Sequence, residues 1–407
     1  MAKQLLFVVA VLMVTSLHAQ KDSSFIIFIH ANLIDGISDK PLKNVAITVK
    51  GGKIEAVQKH TKEDARAIVI NLSGKWVLPG YIDAHAHFLT LDAARIALTS
   101  GVTTARTLRC DHFIDVQIRL AHQHGQLDLP DIVAAGYQIR PDMADAFFED
   151  FPELIDIKPR LSGVDNVRRV VRAEIERKVD LIKILASEKA GTPSTDPLKR
   201  TFTDEEINAI VAEAKKANLP VAAHAYGDEA ASAAVRGGVR SIEHGAFLSD
   251  ETLKMMKDHE TYFDPTLAEW VLAFEKDQRV PDVKEDSVLR ERHKNFSASE
   301  KAVIIKAHKM RIPIIGGTDN EYNGSQLNYI TDEAINFVRI GIPNLDAIKS
   351  ITSISAECLQ IANHTGAIRV GLDADMVVVD QNPLKEIAAL KNILLVVNDG
   401  KIAINKL

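Results

Sequence analysis

Cysteine is almost missing from this chain of 407 residues, which carries two, Cys110 and Cys358, far apart. A disulfide-dense scaffold is excluded, leaving either two free thiols or a single bridge. No long run of one charge occurs and the net charge is −6, so the electrostatic signature of a nucleic-acid or anionic-membrane binder is missing. A small molecule is the expected partner. No G-x-G-x-x-G loop follows the first strand of the central region, which argues against an open, doubly wound dinucleotide-binding sheet. What remains is a hydrophobic fraction of 46%, ample for a core, in a chain longer than one ordinary domain.

The first 19 residues read as a leader. Lys3 is followed by the apolar run LLFVVAVLMV and by Ser16-Leu17-His18-Ala19, a cleavage pattern ending in a small residue. The run covers only about half of a bilayer's hydrocarbon core at ~1.5 Å per residue, so a signal peptide cut after Ala19 is expected rather than an anchor. No cysteine lies near the cleavage point to carry a lipid. The mature protein is expected to be secreted or periplasmic and free of the membrane, with a homo-oligomer left open.

Residues 24–70 are strand-rich and show no helical period; Lys50-Gly51-Gly52-Lys53 is a hairpin signal. The C-terminal segment has the same character, with an apolar run at 376–379 and a second hairpin at Asn398-Asp399-Gly400. Two β-rich ends around a different middle predict one small β-sandwich built from residues 20–76 and 366–407. Between them, residues 77–365 alternate apolar runs with helix-period segments. Eight runs are present: VLPGYIDAHAHF, GVTTARTL, DIVAAG, DLIKILAS, PVAAHAYG, RSIEHGAF, TYFDPTL and IPIIGGTD. Helices are expected over 113–124, 164–179, 203–218, 286–309, 328–340 and 344–363. This layout predicts an α/β fold, a (β/α)8 TIM barrel.

In WVLPGYIDAHAH, residues two apart on an extended strand share a face, so His85 and His87 present both imidazoles to one side together with Asp83. Such a pair can chelate a borderline metal such as zinc. Other runs end in ionisable groups too: Lys183 on the fourth, His224 on the fifth, His244 on the sixth and Asp319 on the eighth. An unpaired charge in an apolar strand costs several kcal/mol, and strand exits of a barrel converge on one mouth. One site is therefore expected there.

In order, PGYIDAHAHF, GVTTARTL, DLIKILAS, VAAHAYG, SIEHG, GGTDN and TGAIRVGLDADMVVVDQNPL resemble the amidohydrolase superfamily, most closely its imidazolonepropionase-like and Xaa-Pro-dipeptidase-like branch, from about Asn32 to the C-terminus. The resemblance implies a distorted barrel with a β-sandwich from both ends. It implies two divalent ions, zinc by analogy: His85, His87 and Asp319 on the more buried ion, His224 and His244 on the more exposed one, and an N-carboxylated Lys183 bridging them. The implied activity is hydrolysis of C–N bonds in dipeptides or N-acyl amino acids by a metal-bridging hydroxide, with Asp319 as base and then acid and Tyr226 as hydrogen-bond donor to the substrate. The same site suits a cyclic amide, a lactone or another ester. A metal- or solute-binding protein without chemistry is the non-enzymatic alternative, against which the presence of both Asp319 and Lys183 argues. The loops after the second, third and fourth runs depart from the branch, notably at Ser187-Glu188-Lys189. His112 and Arg140, in those loops, are candidates to hold a substrate carboxylate.

Overall fold

The computed structural model describes residues 25–59, 64–269, 287–323 and 328–407. The leader and the first residue of the expected helix 286–309 lie outside these.

Both ends of the chain enter one eight-stranded sheet. From the N-terminal side come β1 (Phe25–Leu33), β2 (Leu42–Lys50), β3 (Lys53–Gln58), β4 (Ile68–Asn71) and β5 (Trp76–Pro79). From the C-terminal side come β14 (Met376–Val379), β15 (Ile393–Asn398) and β16 (Lys401–Asn405). The order is β16-β15-β14-β5-β1-β2-β3, with β4 beside β1. The β2–β3 turn uses Gly51 and Gly52 at φ 56° and 83°, and the β15–β16 turn uses Asp399 and Gly400 at φ 47° and 74°. Positive φ at both central residues matches the right-handed twist of the flanking strands, which is why both signals contain glycine. Alternate residues Ile26 and Phe28, Ile47 and Val49, Met376 and Val378, Leu395 and Val397 pack into one apolar cluster. The positions between them, Ile27, Val377 and Val396, are buried as well but in other clusters, so the period of two separates two covered faces.

The apolar run beginning at Trp76 divides at Gly80. β5 pairs with β1 and β14, whereas β6 (Tyr81–Ala86) pairs with β7 and begins the parallel region. A side chain at Gly80 would collide with Thr103, so the sharp passage from one sheet to the other needs glycine there.

The parallel region has two arcs. One is β6, β7 (Val102–Thr107) and β8 (Asp131–Ala134); the other runs from β9 (Gln138–Ile139) through β10 (Ile182–Leu185), β11 (Val221–Gly227) and β12 (Ser241–Phe247) to β13 (Tyr262–Asp264). The third run yields β8, and the short β9 follows just beyond its end. Helices Leu91–Thr99, Ile114–Gln123, Val164–Glu176, Asp204–Lys216, Asp228–Gly237 and Asp250–Asp258 fall between them, the β/α alternation of a TIM-barrel-like α/β fold. Among the described residues no continuous ladder closes a ring. The eighth run, 312–319, with Asn320 one residue beyond it, forms isolated bridges instead of a strand: Ile315 N donates to Phe263 O at 2.9 Å, Ala84 N to Gly316 O at 2.9 Å and His87 N to Asn320 O at 3.0 Å. Its irregularity has local causes. Gly317 is pressed against the His85 side chain, and Asp319 sits at φ 53°.

Helix Asp204–Lys216 is closed by a capping box, Thr203 with Glu206. The long helix is Ser287–Lys309 and the next Ile330–Arg339. The expected helix 344–363 splits into Asn344–Ser350 and Ser353–Cys358. The carbonyls at the break are taken by the parallel region: Gly316 N donates to Ser350 O at 2.9 Å and Ile82 N to Ile351 O at 2.8 Å. A helix cannot continue through carbonyls that serve other backbones.

Candidate metal centre

Five of the strand-exit residues carry nitrogen or oxygen ligand atoms, and the structure brings them together with the sixth, Lys183, at the floor of one cleft of about 590 Å³. His85 lies on β6 and His87 one residue beyond it; their Nε2 atoms lie 3.4 and 2.7 Å from Asp319 Oδ1. The His85 ring centroid is 5.2 Å from that of His244 on β12, which is 4.6 Å from His224 on β11. Lys183, on β10, is 2% exposed, and its amine has no hydrogen-bond partner among the described residues.

The orientation of three of the four rings follows from a contact on the far side. His87 Nδ1 lies 3.4 Å from Arg109 O, which leaves Nε2 to meet Asp319. His244 Nδ1 lies 2.8 Å from Thr266 Oγ1. His85 Nδ1 lies 3.2 Å from Glu243 Oε2 and 3.8 Å from Asp264 Oδ2. Those two carboxylates share Arg106 on β7, whose Nη2 is 2.9 Å from Glu243 and 3.4 Å from Asp264, while Nη1 donates to Ser241 Oγ at 3.0 Å. Partners behind a ligating imidazole fix its tautomer and rotation. Asp83, on the face expected of it, serves the backbone instead: it accepts from His85 N and Thr318 N at 3.1 Å and from the Thr318 and Tyr322 hydroxyls at 2.7 Å.

Burial dominates the electrostatics. It pushes the His85 imidazole down to about 4, with Lys183 adding to the effect, the His244 imidazole down to about 3 and His224 well below the usual range. Neutral imidazoles keep a lone pair for a metal. Burial lowers the Lys183 amine to about 8, with Arg106 adding to it, against the pull of Glu243 and Asp319. For Asp319 burial opposes ionisation, but the His85 and His87 rings hold its carboxyl well below the ordinary range. Burial and then the Asp319 charge push the Glu269 carboxyl well above it. The set fits a metal site on chemical grounds. Three triads, His85/His87/Asp319, His85/Glu243/Asp264 and His244/Glu269/Asp319, each place one donor atom apiece within 4.8 Å of the others. An orphaned buried amine beside them is a group that gains from an added partner.

Tyr226 also lines the cleft, its ring 4.7 Å from His244 and stacked at 21°, and 5.0 Å from Phe296. His112 and Arg140 do not line it. His112 lies beside Asp150 at 3.3 Å, and Arg140 faces Asp142 at 3.7 Å. Besides Lys183, the cations lining the cleft are Arg109, 2.8 Å from Glu321, and Lys189. Sequence reasoning passed over Arg106, Glu243, Asp264 and Glu269. A signal for the first three existed, since each is a charge inside a quoted apolar run.

The sequence pattern of the Amidohydrolase family matches residues 76–403. Ochratoxinase of Aspergillus niger is 25% identical over 417 aligned positions, covering 91% of this chain and 84% of the relative. Among solved structures, a Xaa-Pro dipeptidase with methionine bound in its active site superposes with a TM-score of 0.82 at 27% identity, over 93% of this chain and 99% of that one. A prolidase complexed with N-methylphosphonate-L-proline superposes with a TM-score of 0.81 at 25% identity, over 93% and 99% of the two chains. With a match that spans most of its length and a metal-ready cleft at its centre, the chain belongs to the amidohydrolase family.

Proposed function

We propose that this protein is an exported, metal-dependent hydrolase that cleaves a C–N bond in a small carboxylate-bearing substrate, a dipeptide or an N-acyl amino acid. The observation that carries the reading is the meeting of His85, His87, His224, His244 and Asp319 on the cleft floor with the Lys183 amine, which has no hydrogen-bond partner among the described residues. Dipeptidase and ochratoxinase relatives support amide chemistry over lactone or ester hydrolysis. His85, His87 and Asp319 would hold one zinc ion, and His224 and His244 the other. Lys183, once carboxylated, would bridge the two, because a carbamate replaces a repelling cation by a two-oxygen anion. The ions supply Lewis acidity toward water and the scissile carbonyl when bound.

The remaining work belongs to the chain. Asp319 takes the proton of the attacking water and returns it to the leaving amine. Tyr226 donates its hydroxyl to the carbonyl oxygen. Arg106 positions His85 through Glu243 and Asp264. The substrate carboxylate falls to Arg109 and Lys189, which line the cleft, in preference to His112 and Arg140. At the level of fold, the two parallel arcs read as one distorted (β/α)8 barrel joined through 312–319, and the terminal sheet as a sandwich folded over its shared core. Residues 1–19 are read as the cleaved leader of a secreted or periplasmic enzyme.

The test is metal analysis of the purified protein together with a panel of dipeptides, N-acyl amino acids and lactones. Two equivalents of zinc and turnover of the first two classes are expected. A zinc-loaded protein active only on lactones, or inactive on all three, overturns the reading.

A further inference from the structure

We propose that Glu269 is the receptor for a free substrate α-amine, which makes dipeptides the preferred substrates and N-acyl amino acids poor ones. The inference rests on the hydrolysis proposed above and narrows its substrate class.

Glu269 lines the cleft, and its donor oxygen lies within 4.8 Å of those of His244 and Asp319. Its Oε2 is shielded from solvent and has no hydrogen-bond partner among the described residues, although the carboxyl group as a whole also engages Asp319. The short segment that carries it is held from behind: Glu333 accepts from Leu267 N at 2.9 Å and Ala268 N at 2.6 Å, and Glu269 N donates to Thr266 O at 3.1 Å. Thr266 also contacts His244 Nδ1, so one segment orients a ring of the site and presents a carboxyl group beside it. Such support is what a group needs to bind at a defined place.

The chemistry of the substrate supplies the partner. In a dipeptide the α-amine is two bonds from the scissile carbonyl carbon, so a carbonyl seated over His224 and His244 carries its amine to within reach of Glu269. Arg109 and Lys189 line the same cleft and suit the other end, so the cleft offers an acid and bases to a zwitterion. An N-acyl amino acid brings an apolar acyl group to the same place. It would bury the Glu269 carboxyl against carbon and leave its oxygens unpaired, a penalty that makes sites built for a polar group reject analogues without one.

The experiment compares wild type with Glu269→Gln and Glu269→Asp, each assayed for bound zinc, on L-alanyl-L-leucine and N-acetyl-L-leucine. Wild type is expected to favour the dipeptide. Glu269→Gln is expected to lower kcat/KM for the dipeptide about 10- to 100-fold, chiefly through KM, with a much smaller change on N-acetyl-L-leucine, and Glu269→Asp is expected to recover part of the loss. Calorimetric titration with L-methionine and N-acetyl-L-methionine gives a readout independent of turnover: wild type should bind the free amine about tenfold tighter or better, and Glu269→Gln should lose that preference. Equal losses on both substrates, loss of zinc in Glu269→Gln, or no preference for the free amine in the titration each overturn the inference. Turnover of N-acetyl-L-leucine alone sinks it while leaving the hydrolase reading in place. Preference for the free amine without turnover of either substrate sinks the hydrolase reading instead.

Discussion

On one side of Gly80 the terminal sheet buries Ile26, Phe28, Ile47 and Val397; on the other the cleft floor buries Lys183, His85, His244 and Glu243 just as fully. Water is excluded from both, with opposite effect. The apolar cluster gains free energy from its burial at roughly 25 cal/mol per Å². The floor loses it, because an amine without a partner and imidazoles held away from solvent are costly until something binds them. Beneath the floor the deficit is contained by pairing, with Arg106 placed between Glu243 and Asp264. The lesson is that this fold stabilises itself at its ends and spends part of that stability at its centre, as expected where function and packing compete.

Four substitutions, from the largest expected effect down, sharpen or break this contrast. Arg106→Leu leaves Glu243 and Asp264 buried without their cation and is expected to destabilise the fold by about 4 kcal/mol, read as a shift of the denaturant midpoint. A near-neutral result would mean that the carboxylates are not held by that ion pair. Ile47→Ala, in the sheet, is expected to cost about 3 kcal/mol while the folded enzyme keeps its kcat/KM; a changed kcat/KM would show that the two regions are not separable. Asp319→Asn should do the reverse, lowering turnover by about 100-fold or more with most zinc retained and little change in stability. Near-normal turnover would remove Asp319 as the base.

Lys183→Met carries a stability effect of the opposite sign. In metal-free protein it should raise stability at pH 7 by about 1–3 kcal/mol, while abolishing turnover. The sign follows from the amine, whose pKa falls from 10.5 to about 8 on folding. Below about 8 the amine is charged in both states and its burial penalty is complete. Between there and 10.5 the native form sheds its proton while the unfolded chain keeps it, so wild-type stability climbs with pH and the advantage of Met shrinks. Thermal melts across that range would show an advantage that narrows; one that stays constant would mean that Lys183 is not the group responsible.

The strand exits were legible because an ionisable residue in an apolar run is conspicuous: His85, His87, Lys183, His224, His244 and Asp319 all stand at such places and meet at one cleft. The hairpins were legible from their glycines. Glu243 was harder to see. Simple alternation puts neighbours on opposite faces, so His244 pointing to the cleft would turn Glu243 away. The backbone departs from alternation there, with His244 at φ 71° and Gly245 at φ 56°, and both side chains reach the same site. Arg106 was visible as a charge in an apolar run, but its role shows only once β12 and β13 bring Glu243 and Asp264 beside it. Glu269 comes from a segment whose placement depends on Glu333, a contact 65 and 66 residues distant in sequence. The irregular eighth run was read as a strand because periodicity records which residues are apolar and not how closely Gly317 must approach His85.

The passage at Gly80 ties manufacture of the site to a strand made much later in the chain. β5 receives its antiparallel neighbour only when Met376–Val379 has been synthesised, and Gly80 alone separates β5 from the strand that bears His85. A ribosome that stalls, or a stop codon that falls, anywhere before Met376 therefore leaves the first imidazoles hanging from an unfinished edge, however completely the intervening helices have been made.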